Sequence, residues 1–147
     1  MGLDMYLNGH RFLSEYTDED KDVIDQLDKI IPNKPGSINT IVTEAAYWRK
    51  ANAIHDWFVR NVQDGEDECR EHDVSRANMH LLVETCKQVQ ADHELASTLL
   101  PPVEGFFFGG TELDDWYFDG LASTIEMLEP LLSDDYKHWW FTYRSSW

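Results

Sequence analysis

Positive charge is scarce in this chain. Its 12 Lys and Arg stand against 28 Asp and Glu, a formal charge of -16 over 147 residues. Between Lys87 and Lys137 there is neither Lys nor Arg. A field of that sign repels nucleic acid and anionic membranes, so neither is expected as a direct partner; it attracts basic proteins and cations. Cysteine is scarce too. Cys69 and Cys86 alone make no disulfide framework, and they suit a reducing cytoplasm. Nowhere do about 18 apolar residues run together, so no spanning helix is expected. Met1 to Met5 lacks the basic start and apolar run of a signal peptide, and Tyr6 breaks the myristoylation pattern. Low-complexity linkers and internal repeats are also missing.

Aromatic residues are plentiful: six Trp, six Tyr and seven Phe, within a hydrophobic share of 42%. Chains disordered by net charge are poor in aromatics, so this one should fold. Its length fits one domain that buries roughly two thirds of its unfolded surface. Leu3, Met5 and Leu7 alternate with polar neighbours as a strand, and Asn8-Gly9 reads as a hairpin turn with a return strand from His10 to Leu13. Thr17 opens a helix whose apolar stripe is Val23, Ile24, Leu27, Ile30 and Ile31. Ile38 to Thr43 is β-branched and predicts a strand. From about Tyr47 the period turns helical through Trp48, Ala51, His55, Phe58 and Val62. A short strand follows within 69–74, then a helix capped by Ser75 and carrying Leu81, Leu82, Cys86 and Val89. Phe106 to Phe108 reads as a compact strand between glycines. A helix from Thr111 or Glu112 then presents Leu113, Tyr117, Leu121, Ile125 and Leu128. His138 to Tyr143 closes as a strand. The sum is a single α+β domain over residues 1–147, a mostly antiparallel sheet with helices packed on one face.

Several stretches resemble a family of small, uncharacterised bacteriophage proteins. They are the opening 1–7 (MGLDMYL), 47–55 (YWRKANAIH) with Trp57-Phe58, 105–109 (GFFFG), 115–118 (DWYF) and the closing 143–147 (YRSSW). The blocks span the chain end to end. Leu113 departs from the family's more usual aromatic, which touches packing only. The resemblance implies expression in the cytoplasm of an infected bacterium and an accessory role, such as modulating a host enzyme or countering host defence. It supplies no reaction.

Two regions are candidates for function. The first is Tyr47, Trp48, Arg49, Lys50, Asn52 and His55, where a strand hands over to a helix. Free N–H groups at a helix start attract anions, Arg49 and Lys50 add charge, Asn52 adds directional hydrogen bonds, and Tyr47 or Trp48 offers a stacking surface. The competing reading is that Trp48 and His55 are core and Arg49 pairs with an acid, since the segment lacks phosphate-cradling glycines. The second region is Glu112, Asp114, Asp115, Trp116, Asp119, Asp134 and Asp135, where acids surround an aromatic as at the rim of an interface. Cys69, His72, His80 and Cys86 are zinc-type residues at spacings that fit no recognised site, and 64–68 (DGEDE) lacks the EF-hand pattern. No metal or cofactor is expected. Glu44, His55 and Asp56 lack a third group, and Ser145-Ser146 lacks a nucleophile-elbow setting, so catalysis is not expected either.

The leading expectation is therefore a non-catalytic binding protein that docks its acids on a basic host protein, as a partial DNA mimic or other inhibitor. The alternative is a small-ligand or nucleotide-signal binder using 47–55. A homo-oligomer joined through the aromatic C-terminal end is a third.

Overall fold

The computed structural model describes residues 2–105 and 108–147. Strands β1 (Asp4–Phe12), β2 (Thr40–Arg49), β3 (His72–Val74) and β4 (Trp139–Ser146) form one antiparallel sheet in the order β2-β1-β4-β3. Helices α1 (Asp18–Ile30), α2 (Asn52–Asn61), α3 (Arg76–Ala91), the four-residue α4 (Ala96–Leu99) and α5 (Asp115–Leu128) complete the chain with short 3₁₀ turns. This is the α+β architecture that the sequence predicts.

The two-residue period of β1 decides where the core lies. Leu3, Met5 and Leu7 are fully buried, and their cross-strand neighbours Ala46, Trp48 and Tyr143 share that face. Against it pack Ile54 and Phe58 of α2, Leu82 and Cys86 of α3, and Leu121 and Leu128 of α5. Each such side chain contributes roughly 1.5–3 kcal/mol on leaving water. Tyr6, His10, Tyr47, Trp140 and Arg144 lie on the other face, where no helix covers them fully. There the Arg144 guanidinium sits 4.8 Å over the Tyr6 ring, and His10 stacks on Trp140 at 5.3 Å.

Asn8-Gly9 is not a hairpin turn. It runs through the middle of β1, which pairs with β2 on one side and β4 on the other, and two ladders outweigh one local turn preference. Gly9 is needed for closeness rather than for turning. A Cβ there would lie 3.2 Å from the Phe141 ring, the Thr43 hydroxyl and the Trp139 ring. The pairing shifts register between Leu7 and Asn8, leaving Ala45 as the extra residue of a bulge in β2.

Helix α1 also differs from its expected packing. Of its stripe only Ile24 is buried, while Ile30 and Ile31 are exposed. The helix is tied to the end of β1 by an Arg11–Asp20 ion pair of 2.7 Å, and Asp20 also accepts the Ser14 N–H. Leu81 and Leu113 are exposed as well, because α3 turns Leu82 and Val83 inward and α5 begins only at Asp115. Asp114 caps α5 by accepting the Tyr117 N–H at 3.1 Å, and Ser75 caps α3 through the Asn78 N–H as expected. Of the strand read at 106–108, Phe106 and Phe107 lie outside the described residues, and Phe108 is in a loop.

Candidate functional site

The crossing from β2 to α2 is sharp, and its backbone shows the cost. Lys50 adopts a left-handed conformation with φ of 55°, which a side chain with a Cβ rarely takes. Its N–H donates to the Leu3 carbonyl at 2.8 Å, ending the ladder just as the helix begins. Helix α2 starts with no side-chain cap and no acid in its first turn. Asn52, the first helical residue, faces the loop that leads to α5. Its amide NH2 donates to the carbonyls of Phe108 (3.2 Å) and Gly110 (2.9 Å), and its carbonyl accepts the Val103 N–H (3.0 Å). Gly109 permits this approach, with φ of 97° and a virtual Cβ only 3.1 Å from Lys50.

Across from this junction lies the N-terminal half of α5. Trp48 fixes the distance between them: its indole N–H donates to the buried Thr124 hydroxyl at 2.9 Å, and Thr124 donates in turn to the Gly120 carbonyl. Tyr117 donates to the Leu100 carbonyl, and burial pushes its phenol up to about 12. Between the two elements opens a cleft of about 710 Å³. Tyr47, Trp48, Arg49, Lys50 and Asn52 line one side of it, and Glu112, Asp114, Trp116 and Asp119 line the other. The two candidate regions, 60 residues apart in the chain, thus meet at one cavity. Its apolar lining includes Ile54, Leu121 and Met127, and Trp116 stands 76% exposed at the rim. Among the described residues, none of Arg49, Lys50, Glu112, Asp114 and Asp119 takes part in an ion pair.

Three expectations of the site reading need correcting, and for Trp48 and His55 the competing reading as core residues holds. Asn52 spends its amide on the loop, so it builds the cleft rather than presenting polar groups to it. His55 is 1% exposed and does not line the cleft. Its Nδ1 lies 2.7 Å from the Tyr143 hydroxyl and its Nε2 lies 2.9 Å from Asp67. The consistent arrangement has Tyr143 donating to Nδ1 and Nε2–H donating to the carboxylate, which needs only a neutral ring. Burial pushes the His55 pKa down while Asp67 pulls it up, and burial holds the Tyr143 phenol well above its ordinary range. A hydroxyl that is fully buried cannot reach a substrate, so this chain of bonds anchors α2 to β4. The acidic turn at 64–68 supplies its far end, since Asp67 also accepts the Trp147 indole N–H at 3.2 Å.

The third correction concerns the acids. Asp115 is exposed on the first turn of α5 but does not line the cleft. Asp134 and Asp135 sit in a 3₁₀ turn beyond the opposite end of α5, a 14-residue helix and therefore about 21 Å long. The acids thus lie in two groups, an arrangement that the sequence left open. The zinc-type residues also remain apart in role: Cys86 is buried in the core, Cys69 is exposed, and His72 bonds to Glu68 at 2.8 Å. Among the described residues no group of three or more His, Cys, Asp or Glu gathers to hold a metal, and no helix is long and apolar enough to cross a membrane. Sequence reasoning missed Gly109 and Gly110 as cleft builders. Their adjacency to an aromatic run suggested a strand edge instead.

No protein-family model matches the chain, and no curated protein or solved structure is significantly similar to it.

Proposed function

We propose that this chain is a non-catalytic accessory protein of a phage that binds a basic host protein through the cleft between the β2–α2 junction and α5. The observation that carries this reading is the grouping of Glu112, Asp114 and Asp119 around the exposed Trp116 at the rim of that cleft. An aromatic anchor beside acids that, among the described residues, form no ion pair is the composition of a docking site, where charge raises the on-rate and the anchor holds the complex. The resemblance to phage proteins points to a bacterial host as the source of the partner, and modulation or counter-defence as the purpose. Mimicry of nucleic acid is the narrower version. It requires both acidic groups to engage, including Asp134 and Asp135.

The test is capture from bacterial lysate by the wild type and by a variant carrying E112K, D114K and D119K, with folding of both checked by circular dichroism. The same protein should be retained by the wild type at low salt, released as salt rises, and lost by the variant. Equal retention by both would sink the reading.

A second reading keeps one specific support: the cleft's volume lies within the roughly 300–1,000 Å³ typical of small-molecule sites, with Arg49 and Lys50 on one wall. A nucleotide held there should raise the melting temperature of the wild type and not of Arg49→Ala. No shift across a nucleotide panel argues against it.

A further inference from the structure

Strand β2 is an edge of the sheet: it pairs with β1 and, among the described residues, with nothing on its other side. The hydrogen bonds at its two ends show which main-chain groups are free. Lys50 donates to Leu3, and Leu13 donates to Asn39, each at 2.8 Å. In an antiparallel ladder, bonded and non-bonded residue pairs alternate. Counting inward from each end, with the bulge at Ala45 between, leaves Thr40, Val42, Glu44, Tyr47 and Arg49 with N–H and C=O directed away from β1. Natural edges are blunted with Pro, Lys or shortness. This edge is ten residues of TIVTEAAYWR with neither Pro nor Lys, blunted by the bulge and by the charges of Glu44 and Arg49 alone. Beyond the bulge, the stretch from Tyr47 to Arg49 also borders the cleft, with α5 on the far side.

An open strand edge facing a helix across an apolar groove is the arrangement that accepts an added strand. We infer that the partner enters this site as an extended basic segment, pairing its backbone with β2 at Tyr47 and Arg49 and placing lysine or arginine side chains against Glu112, Asp114 and Asp119. This rests on the docking reading above and specifies its mode. Charge selects the occupant. A second copy of this chain would bring another -16 against the first, whereas a basic segment is drawn to the acids opposite the edge. Side chains of an added strand alternate, so one set enters the groove beside Trp116 and the other faces solvent.

The experiment uses the full chain and, as probe, a short synthetic peptide of alternating lysine and valine. Its twin is N-methylated at alternate residues, keeping the charge and side chains but removing edge donors. The parent should bind in low salt, and the twin about tenfold or more weakly. Amide exchange by NMR should slow at Tyr47 and Arg49 on binding, while Trp48, bonded to β1 throughout, changes little. Equal binding by both peptides without protection at Tyr47 and Arg49 overturns strand addition and leaves cleft docking standing. If neither peptide binds, edge pairing is overturned, and the docking reading is judged by the charge-reversal capture alone. A dimer in sedimentation with both amides already protected, and no peptide present, overturns the proposal in favour of a second copy.

Discussion

Phe58 is where the packing of this fold is most concentrated. It is fully buried, its ring stacks on Tyr143 with centroids 3.9 Å apart, and Trp48 and Trp57 meet it edge-on at 5.8 and 5.4 Å. Truncation leaves a cavity that three rigid rings cannot collapse into. Phe58→Ala should therefore lose about 3–5 kcal/mol in urea denaturation, and a loss under 1 would mean the rings repack. His55 makes a pH-dependent contribution to the same layer. Its folded pKa is depressed by burial, so the unfolded chain binds the proton more readily. The stability it contributes is present above its unfolded value of about 6.5 and declines as pH falls from there through the folded value. Denaturation midpoints of the wild type should drop on acidification below that point, and those of His55→Gln should drop less. Parallel slopes would remove His55 as the cause.

At the scale of elements, the cleft depends on a junction and a loop. Asn52 makes three hydrogen bonds that tie Val103, Phe108 and Gly110 to the start of α2. At about 1 kcal/mol each, Asn52→Ala should cost about 2–3 kcal/mol and loosen the loop, seen as faster amide exchange at Val103. Unchanged exchange would show the loop to be held by other contacts. Lys50 presents the opposite case. Its left-handed backbone costs roughly 1–2 kcal/mol, and glycine tolerates it. Lys50→Gly should gain up to about 1 kcal/mol in stability, the greater freedom of the unfolded glycine taking part of the relief.

For the whole molecule the governing quantity is charge. Raising ionic strength from ~0.01 M to ~0.15 M shortens the screening length from about 30 Å to about 8 Å. Self-repulsion among the acids is then relieved, so the melting temperature should rise, while affinity for a basic partner should fall. Both curves moving in the same direction would break the link between acidity and docking.

What the residues determined alone were the features that follow from local period and composition: the α+β class, the strand of Leu3, Met5 and Leu7 and the Ser75 cap. Each of these depends on neighbours within a turn or two. The continuity of β1 through Asn8-Gly9 did not, because it comes from two partner strands, one of them more than 130 residues away. The helix read from about Tyr47 begins only at Asn52, because β2 continues through Trp48 to Arg49 on its ladder with β1. The burial of His55 needed Tyr143 and Asp67 beside it, and the exposure of Ile30 followed from where α1 is tethered. Tertiary structure alone decided that the segment from Tyr47 to Asn52 and the acids around Trp116 share one cleft. Their distance in space is set by the Trp48–Thr124 bond and the Asn52 clamp, and no periodicity in a sequence encodes contacts of that range.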